Sequence, residues 1–149
     1  MPIREIREQD REFFCSIMDE FYRTDAVIKP LSMDKIQRVC EDCIRGSNHV
    51  KAYIFEEEGT AFGYAVISYG YSVEAGGVCL WVEDLYIRAG HRGKGWGSAF
   101  FEKIIKENRD IAYRVRLEVE KENLGAVALY KKYGFEFLEY SQMIKEIKE

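Results

Sequence analysis

At 149 residues the chain suits one domain with a core hiding about two-thirds of its unfolded surface, and its 47% hydrophobic and 14% aromatic content exclude a disordered polypeptide. A formal net charge of −4 argues against a nucleic-acid binder, whose footprint is a basic patch. No apolar run approaches the roughly 20 residues of a membrane span, and Met1-Pro2-Ile3-Arg4-Glu5 lacks the order of a signal peptide, so a cytoplasmic protein without membrane attachment is expected.

Residues 3–7 alternate weakly, as a short strand does. Phe13, Ile17, Met18, Phe21 and Tyr22 then recur at helical spacing and predict an amphipathic helix over residues 10–23. Residues 24–31, with Pro30, break the pattern. Ser32 is the N-cap expected of a second helix that carries Ile36, Val39, Cys40 and Cys43 and ends near Gly46. Cys40 and Cys43 form a C-x-x-C, but His49 and His91 are the only histidines and the pair lies late in a helical pattern. Reduced, partly buried thiols, and no metal, are therefore expected of them and of Cys15 and Cys79.

From His49 the period changes to two. Residues 50–55 read as a strand, residues 56–59 as a solvated turn and residues 61–71 as the returning strand. Residues 69–77 form a loop, and residues 78–87 read as a long, mostly apolar, buried strand. A helix follows Gly97, with Trp96, Ala99, Phe100, Ile104 and Ile105 as its expected core face. Residues 114–119 alternate as a strand, residues 123–133 form a last helix stopped by Gly134, and residues 135–147 are strand-like. The order is β-α-α-β-β-β-α-β-α-β, an α/β fold around a mixed sheet, in one domain over residues 1–149.

The most informative stretch joins the buried strand to the helix after it. Gly90, Gly93, Gly95 and Gly97 fall in eight positions, flanked by Arg92 and Lys94. A glycine-rich basic loop entering a helix N-terminus offers clustered N–H groups to an anion, here a pyrophosphate. Lys94 is followed by Gly95 rather than Ser or Thr, which excludes the nucleotide-triphosphatase loop. Gly97 comes one position early for the dinucleotide fingerprint. Arg92-Gly93-Lys94-Gly95-Trp96-Gly97 instead resembles the Arg/Gln-x-x-Gly-x-Gly/Ala signature of the GCN5-related N-acetyltransferases. A second segment, Asn123 with Ala126, Leu129 and Tyr130, then Gly134-Phe135, is similar to that family's Asn-x-x-Ala-x-x-Leu-Tyr motif with its downstream Gly-Phe. The specific motifs lie between Trp81 and Phe135; residues 1–76 agree in pattern alone.

The resemblance implies a central sheet of six to seven strands with two helices on each side, and acetyl-CoA as co-substrate. It implies that residues 93–98 (Gly93, Lys94, Gly95, Trp96, Gly97, Ser98), with Arg92, hold the pyrophosphate. Leu85, Tyr86 and Ile87 would pair with the pantetheine arm in a splay between the two central strands, and Asn123 would hydrogen-bond that arm or a nearby water. Tyr130 would reach the thioester sulfur as general acid, a moderate demand because a thiol of pKa about 8.5 departs readily.

Glu83 and Asp84 interrupt an apolar strand, where an ionised carboxylate is costly unless paired or wet. That marks Glu83 as the candidate base and both as candidates for binding the acceptor amine, against the alternative of an ion pair with Arg116 or a water chain in place of a side-chain base. The Glu83-Asp84-Leu85-Tyr86-Ile87 segment also resembles diamine and polyamine acetyltransferases, with Trp81 and Tyr71 lining the acceptor site. The expected partner is a small-molecule amine, with a homodimer through the C-terminal strand or sheet edge left open by the alternation of Phe135, Phe137, Tyr140 and Met143. Two other readings stand beside it, a non-catalytic acetyl-CoA sensor and an acetyltransferase of protein or peptide amines.

Overall fold

A computed structural model gives the structure of the protein over residues 1–148; Glu149 lies outside the described residues. The chain runs β1 (Ile3–Glu5), α1 (Arg11–Phe21), α2 (Met33–Arg45), β2 (Val50–Glu57), β3 (Thr60–Ser72), β4 (Gly77–Ile87), α3 (Trp96–Glu107), β5 (Ala112–Leu117) and α4 (Leu124–Lys132). The strands form one sheet in the order β1-β2-β3-β4-β5, antiparallel except for the parallel β4–β5 pair.

Period-two alternation sends side chains to two cores. On one face Ala52, Ile54, Tyr64 and Val66 pack under α1 and α2, whose Phe14, Ile17, Met18, Ile36 and Cys40 are buried. On the other face Tyr53, Phe55, Ala65, Ile67 and Val82 meet Trp96, Phe100, Phe101 and Ile104 of α3, with Leu129 and Tyr130 of α4 against the same cluster. Ser32 caps α2 as expected, its hydroxyl accepting from the Lys35 N–H, and Gly46 closes the helix at φ 85°. All four thiols are free.

Two expectations are corrected. The sheet has five strands among the described residues, because residues 135–147 join no ladder. The alternation there is broken: Phe135 and Phe137 are two apart, but Tyr140 and Met143 follow at spacings of three, so no one face collects them. Phe137, Tyr140, Met143, Ile144 and Ile147 are all exposed. On α3, the buried residue is Phe101 and not Ile105, which is 42% exposed. Phe101 is buried because the rings of Tyr130, Tyr133 and Phe135 pack on it from beyond the helix.

Candidate active site

β4 keeps β3 beside it as far as Ile87, opposite Gly63, whereas its pairing with β5 ends at Val82, opposite Leu117. Residues 83–87 therefore have one laddered edge and one edge without a strand. β5 ends at Leu117, so beyond Val82 this edge of β4, the splay between the two central strands, keeps backbone N–H and C=O groups without a ladder partner.

A bulge sits at the mouth of the splay. Val66 pairs with Asp84 and Ile67 with Val82, so Glu83 is an extra residue on β4. The insertion turns Asp84 toward α1 and α2 although Val82 faces α3. Asp84 is buried, and its two oxygens accept from the hydroxyls of Tyr22 and Tyr64, both at 2.8 Å. No cation pairs with it among the described residues. Burial raises its pKa, offset in part by the two tyrosine hydrogen bonds. The Glu83 carboxyl is also raised, first by desolvation and then by the charges of Asp84 and Glu118. Glu83 makes no ion pair among the described residues. Arg116 stacks instead on Trp81, its guanidinium carbon 4.7 Å from the ring centre.

Trp81, residues 114–119, Tyr130 and residues 133–138 line an open cavity of about 590 Å³ beside β5, and residues 83–87 and the glycine loop are not part of its lining. Tyr130 is wedged edge-on against Phe101 (5.7 Å between centroids) and Phe135, and its hydroxyl makes no hydrogen bond to a described residue. Burial raises its pKa, so it keeps its proton at neutral pH. Asn123 is the N-cap of α4: its Oδ1 accepts from the Ala126 N–H at 3.3 Å. A helix-capping role therefore accounts for the asparagine before any ligand is considered.

Beyond Ile87, residues 89–91 make a short helical turn and the glycine loop delivers the chain into α3. Gly93 and Gly95 lie at φ 74° and 89°, in the left-handed region where a Cβ is strained. Gly97 serves packing instead, since a Cβ there would come 2.7 Å from Leu129 Cδ2. The helix start carries no side-chain cap, and no N–H of residues 93–98 has a hydrogen-bond partner among the described residues. Those donors, at the positive end of a helix dipole, have the cradle geometry that an anion of the right size could fill.

The remaining expected residues divide. Leu85 and Ile87 pack toward α3, while Tyr86 turns to the other face and donates to Glu20, which also pairs with Arg88. Lys94 is exposed and Ser98 half-buried in the first turn of α3. Trp96 is 3% exposed against Phe55 and Phe62, so only its backbone faces the cradle. The Arg92 guanidinium turns back, donating to the Ile87 carbonyl at 2.6 Å and lying over Tyr86. Tyr71 is not brought to the others: it pairs with Val78, six residues or about 20 Å along β4 from Asp84.

Tyr22 and Tyr64 are missed by the sequence reading, which takes Tyr22 as one more core residue of a helix face. Their signal is chemical. A buried tyrosine needs a partner for its hydroxyl, and Asp84 is the acid on that side of β4. Among the described residues no cluster of His, Cys, Asp and Glu has metal-binding form.

Residues 11–135 match the Acetyltransferase (GNAT) family. The chain is 25% identical over 113 residues to the spermine/spermidine N(1)-acetyltransferase of Bacillus subtilis (strain 168), covering 72% of this chain and 73% of that protein. It is 28% identical over 142 residues to the L-amino acid N-acyltransferase MnaT of Escherichia coli (strain K12), covering 91% and 79%. Its fold is similar to that of the aminoglycoside N-acetyltransferase AAC(6')-Iy in complex with CoA, with a TM-score of 0.78 at 15% identity over 99% of this chain and 95% of that one. With the family matched along most of its length, and the splayed strands and glycine cradle in the matched region, the chain belongs to the GNAT family of acetyltransferases.

Proposed function

We propose that the protein moves an acetyl group from acetyl-CoA to a primary amine of a small molecule by direct attack. The observation that carries this reading is the free backbone edge of β4 at residues 83–87 running into the donor-rich loop; the Tyr130 hydroxyl, without a partner among the described residues, borders the cavity beside β5. The pyrophosphate of acetyl-CoA fits the N–H groups of residues 93–98, and the pantetheine arm fits the edge of Leu85, Tyr86 and Ile87. A backbone N–H there polarises the thioester carbonyl and takes up the developing oxyanion.

The chemistry then needs two proton movements. The amine nitrogen bonds to the carbonyl carbon and sheds a proton to Glu83, directly or through water. As the tetrahedral intermediate collapses, the C–S bond breaks and the sulfur takes a proton from Tyr130. Glu83 and Asp84 together draw a cationic acceptor, and Trp81 borders it. The acceptor class we favour is diamines and polyamines, because these two carboxylates have no cation of their own and the Bacillus relative is named for spermine and spermidine. Homodimer formation through the exposed apolar side chains of residues 137–147 completes the reading.

Thiol release from acetyl-CoA against diamines, polyamines, amino acids and lysine peptides tests it. Release dependent on one small-amine class is expected. Release with lysine peptides alone would move the acceptor to proteins. Silence across the panel with tight calorimetric binding of acetyl-CoA would make the chain a sensor.

A further inference from the structure

Tyr22 is the residue at which α1 gives way to the connection to α2. Residues 22–25 and 27–30 of that connection line an open surface hollow of about 320 Å³. Thr24 ties the start of this loop to α1, its hydroxyl donating to the Phe21 carbonyl at 2.7 Å. Beyond that point, Ile28 is 86% exposed and Asp25, Ala26, Lys29 and Pro30 are exposed, while Leu31 at the far end packs against the α1–α2 core. At its near end the loop is tied to the sheet by the Tyr22 hydroxyl on Asp84, at 2.8 Å and within the field of the Glu83 charge. Phe21, Tyr64 and Tyr86 pack as a cluster of rings around that contact, with Phe21 edge-on to Tyr22.

We propose that Tyr22 is a positioning residue for acceptor binding, using buried Asp84 as the post that holds the loop of residues 23–31 beside the carboxylates of the splay. This rests on the proposed amine acetylation, and it separates two tyrosines that are chemically alike. Tyr64 gives Asp84 an equal hydrogen bond but belongs to β3, fixed on both sides by ladders, and connects to no loop. Asp84 thus has two donors of which one transmits position. The other only satisfies charge.

The facing groups are few. Around Asp84 stand Tyr22 from α1, Tyr64 from β3 and Glu83 beside it on β4. Glu20 and Arg88 are occupied with each other and with Tyr86. Loss of either hydroxyl leaves the same carboxylate with one donor fewer, so an effect through the charge of Asp84 alone would be the same for both. An effect through the loop belongs to Tyr22.

The test compares Tyr22→Phe and Tyr64→Phe with the parent, each checked for a cooperative thermal transition. Steady-state kinetics with the best amine of the panel are read beside amide hydrogen exchange over residues 23–31 without substrate. Tyr22→Phe is expected to raise the KM for the amine about tenfold, the scale of one hydrogen bond to a charged group. It should leave the KM for acetyl-CoA unchanged and speed exchange in the loop. Tyr64→Phe should leave loop exchange at the parent rate. An unchanged amine KM in Tyr22→Phe, or equal loop exchange in both variants, overturns the proposal. A parent protein that acetylates no amine fails the underlying reading instead, and the exchange comparison still decides whether Tyr22 holds the loop.

Discussion

Glu83 shares with Asp84 a pKa raised above that of an ordinary carboxylate. Desolvation and the charges of Asp84 and Glu118 raise its pKa, so the folded protein holds its proton more tightly than the unfolded chain does. For an acid the sign is then fixed: the stabilising contribution is present at low pH and is lost as pH rises from the unfolded value through the folded one. Glu83 is exposed, so solvent keeps the cost of the ionised group small at neutral pH. Glu83→Gln is therefore expected to lower kcat/KM with little change in the thermal midpoint at pH 7, two readings taken on one sample. Its pH profile is equally specific. Activity that needs the carboxylate rises as pH passes Glu83's raised pKa, so the parent should show an acid limb above the ordinary glutamate value of about 4.3. In Glu83→Gln that limb should flatten to the slope set by the amine. An identical limb in both proteins relegates Glu83 to structure. The acid pair is legible in the sequence as two carboxylates in an apolar run. That adjacent strand residues face opposite ways is legible too; that Asp84 takes the face opposite to Val82 is not, because an inserted residue leaves no mark on a period-two pattern until the partner strand is known.

Among the elements, the loop into α3 is where sequence and structure agree most closely, and the reason is covalent. Gly93 and Gly95 stand at φ 74° and 89°, and residues with a Cβ pay roughly 1–2 kcal/mol there, so glycine itself announces the conformation. Gly95→Ala is accordingly expected to weaken CoA binding about tenfold in calorimetry with little change in kcat. Gly97→Val should do the reverse. Its side chain would press on Leu129 at the α3–α4 contact and displace the neighbouring Tyr130, lowering kcat more than CoA affinity. Equal losses in both variants and both parameters would mean that loop and helix contact act as one unit. The caps of α2 are legible because each acts locally, Ser32 through its hydroxyl on the Lys35 N–H and Gly46 through its left-handed backbone. Residues 135–147 mislead because strand propensity needs a partner edge as well as β-formers, and their apolar spacing matches no single face. Phe101 is hidden from a helical-wheel reading because what buries it comes from α4 and the chain after it.

For the molecule as a whole, β4 links both cores to the cleft, and acid tests how the N-terminal corner is held. Arg4 bridges Asp10 (2.7 Å) and Glu56 (2.9 Å), tying the start of α1 to the first hairpin. The Arg4 hydrogen bond, against the cost of burial, lowers the Asp10 pKa. A carboxyl with a depressed folded pKa contributes stability above its unfolded value and loses it as pH falls through the folded one. Asp10→Asn should cost about 1–3 kcal/mol at pH 7 in urea unfolding and flatten the decline of stability toward acid. Unaltered stability at pH 7 would mean that the corner is held by packing alone. At the opposite end of the chain, Met143, Ile144 and Ile147 are 97%, 83% and 92% exposed, the side chains that the proposed homodimer would cover. Sedimentation at increasing concentration should show a dimer that Ile144→Asp weakens, and a parent that stays monomeric throughout removes the homodimer from the account. The fold class and the glycine loop conformation follow from sequence because period and glycine chemistry are local. The bulge and the Tyr22–Asp84 contact arise from pairings between strands and helices far apart in the chain.

The most direct measurement is the turnover of Tyr130→Phe with acetyl-CoA and the best amine of the panel, followed by thiol release. If the splay is where the thioester breaks and the Tyr130 hydroxyl protonates the departing sulfur, kcat should fall roughly 10- to 100-fold, the lower range for a general acid serving a good leaving group, with the KM for acetyl-CoA unchanged. Turnover equal to that of the parent would contradict the account and leave Tyr130 as packing for Phe101.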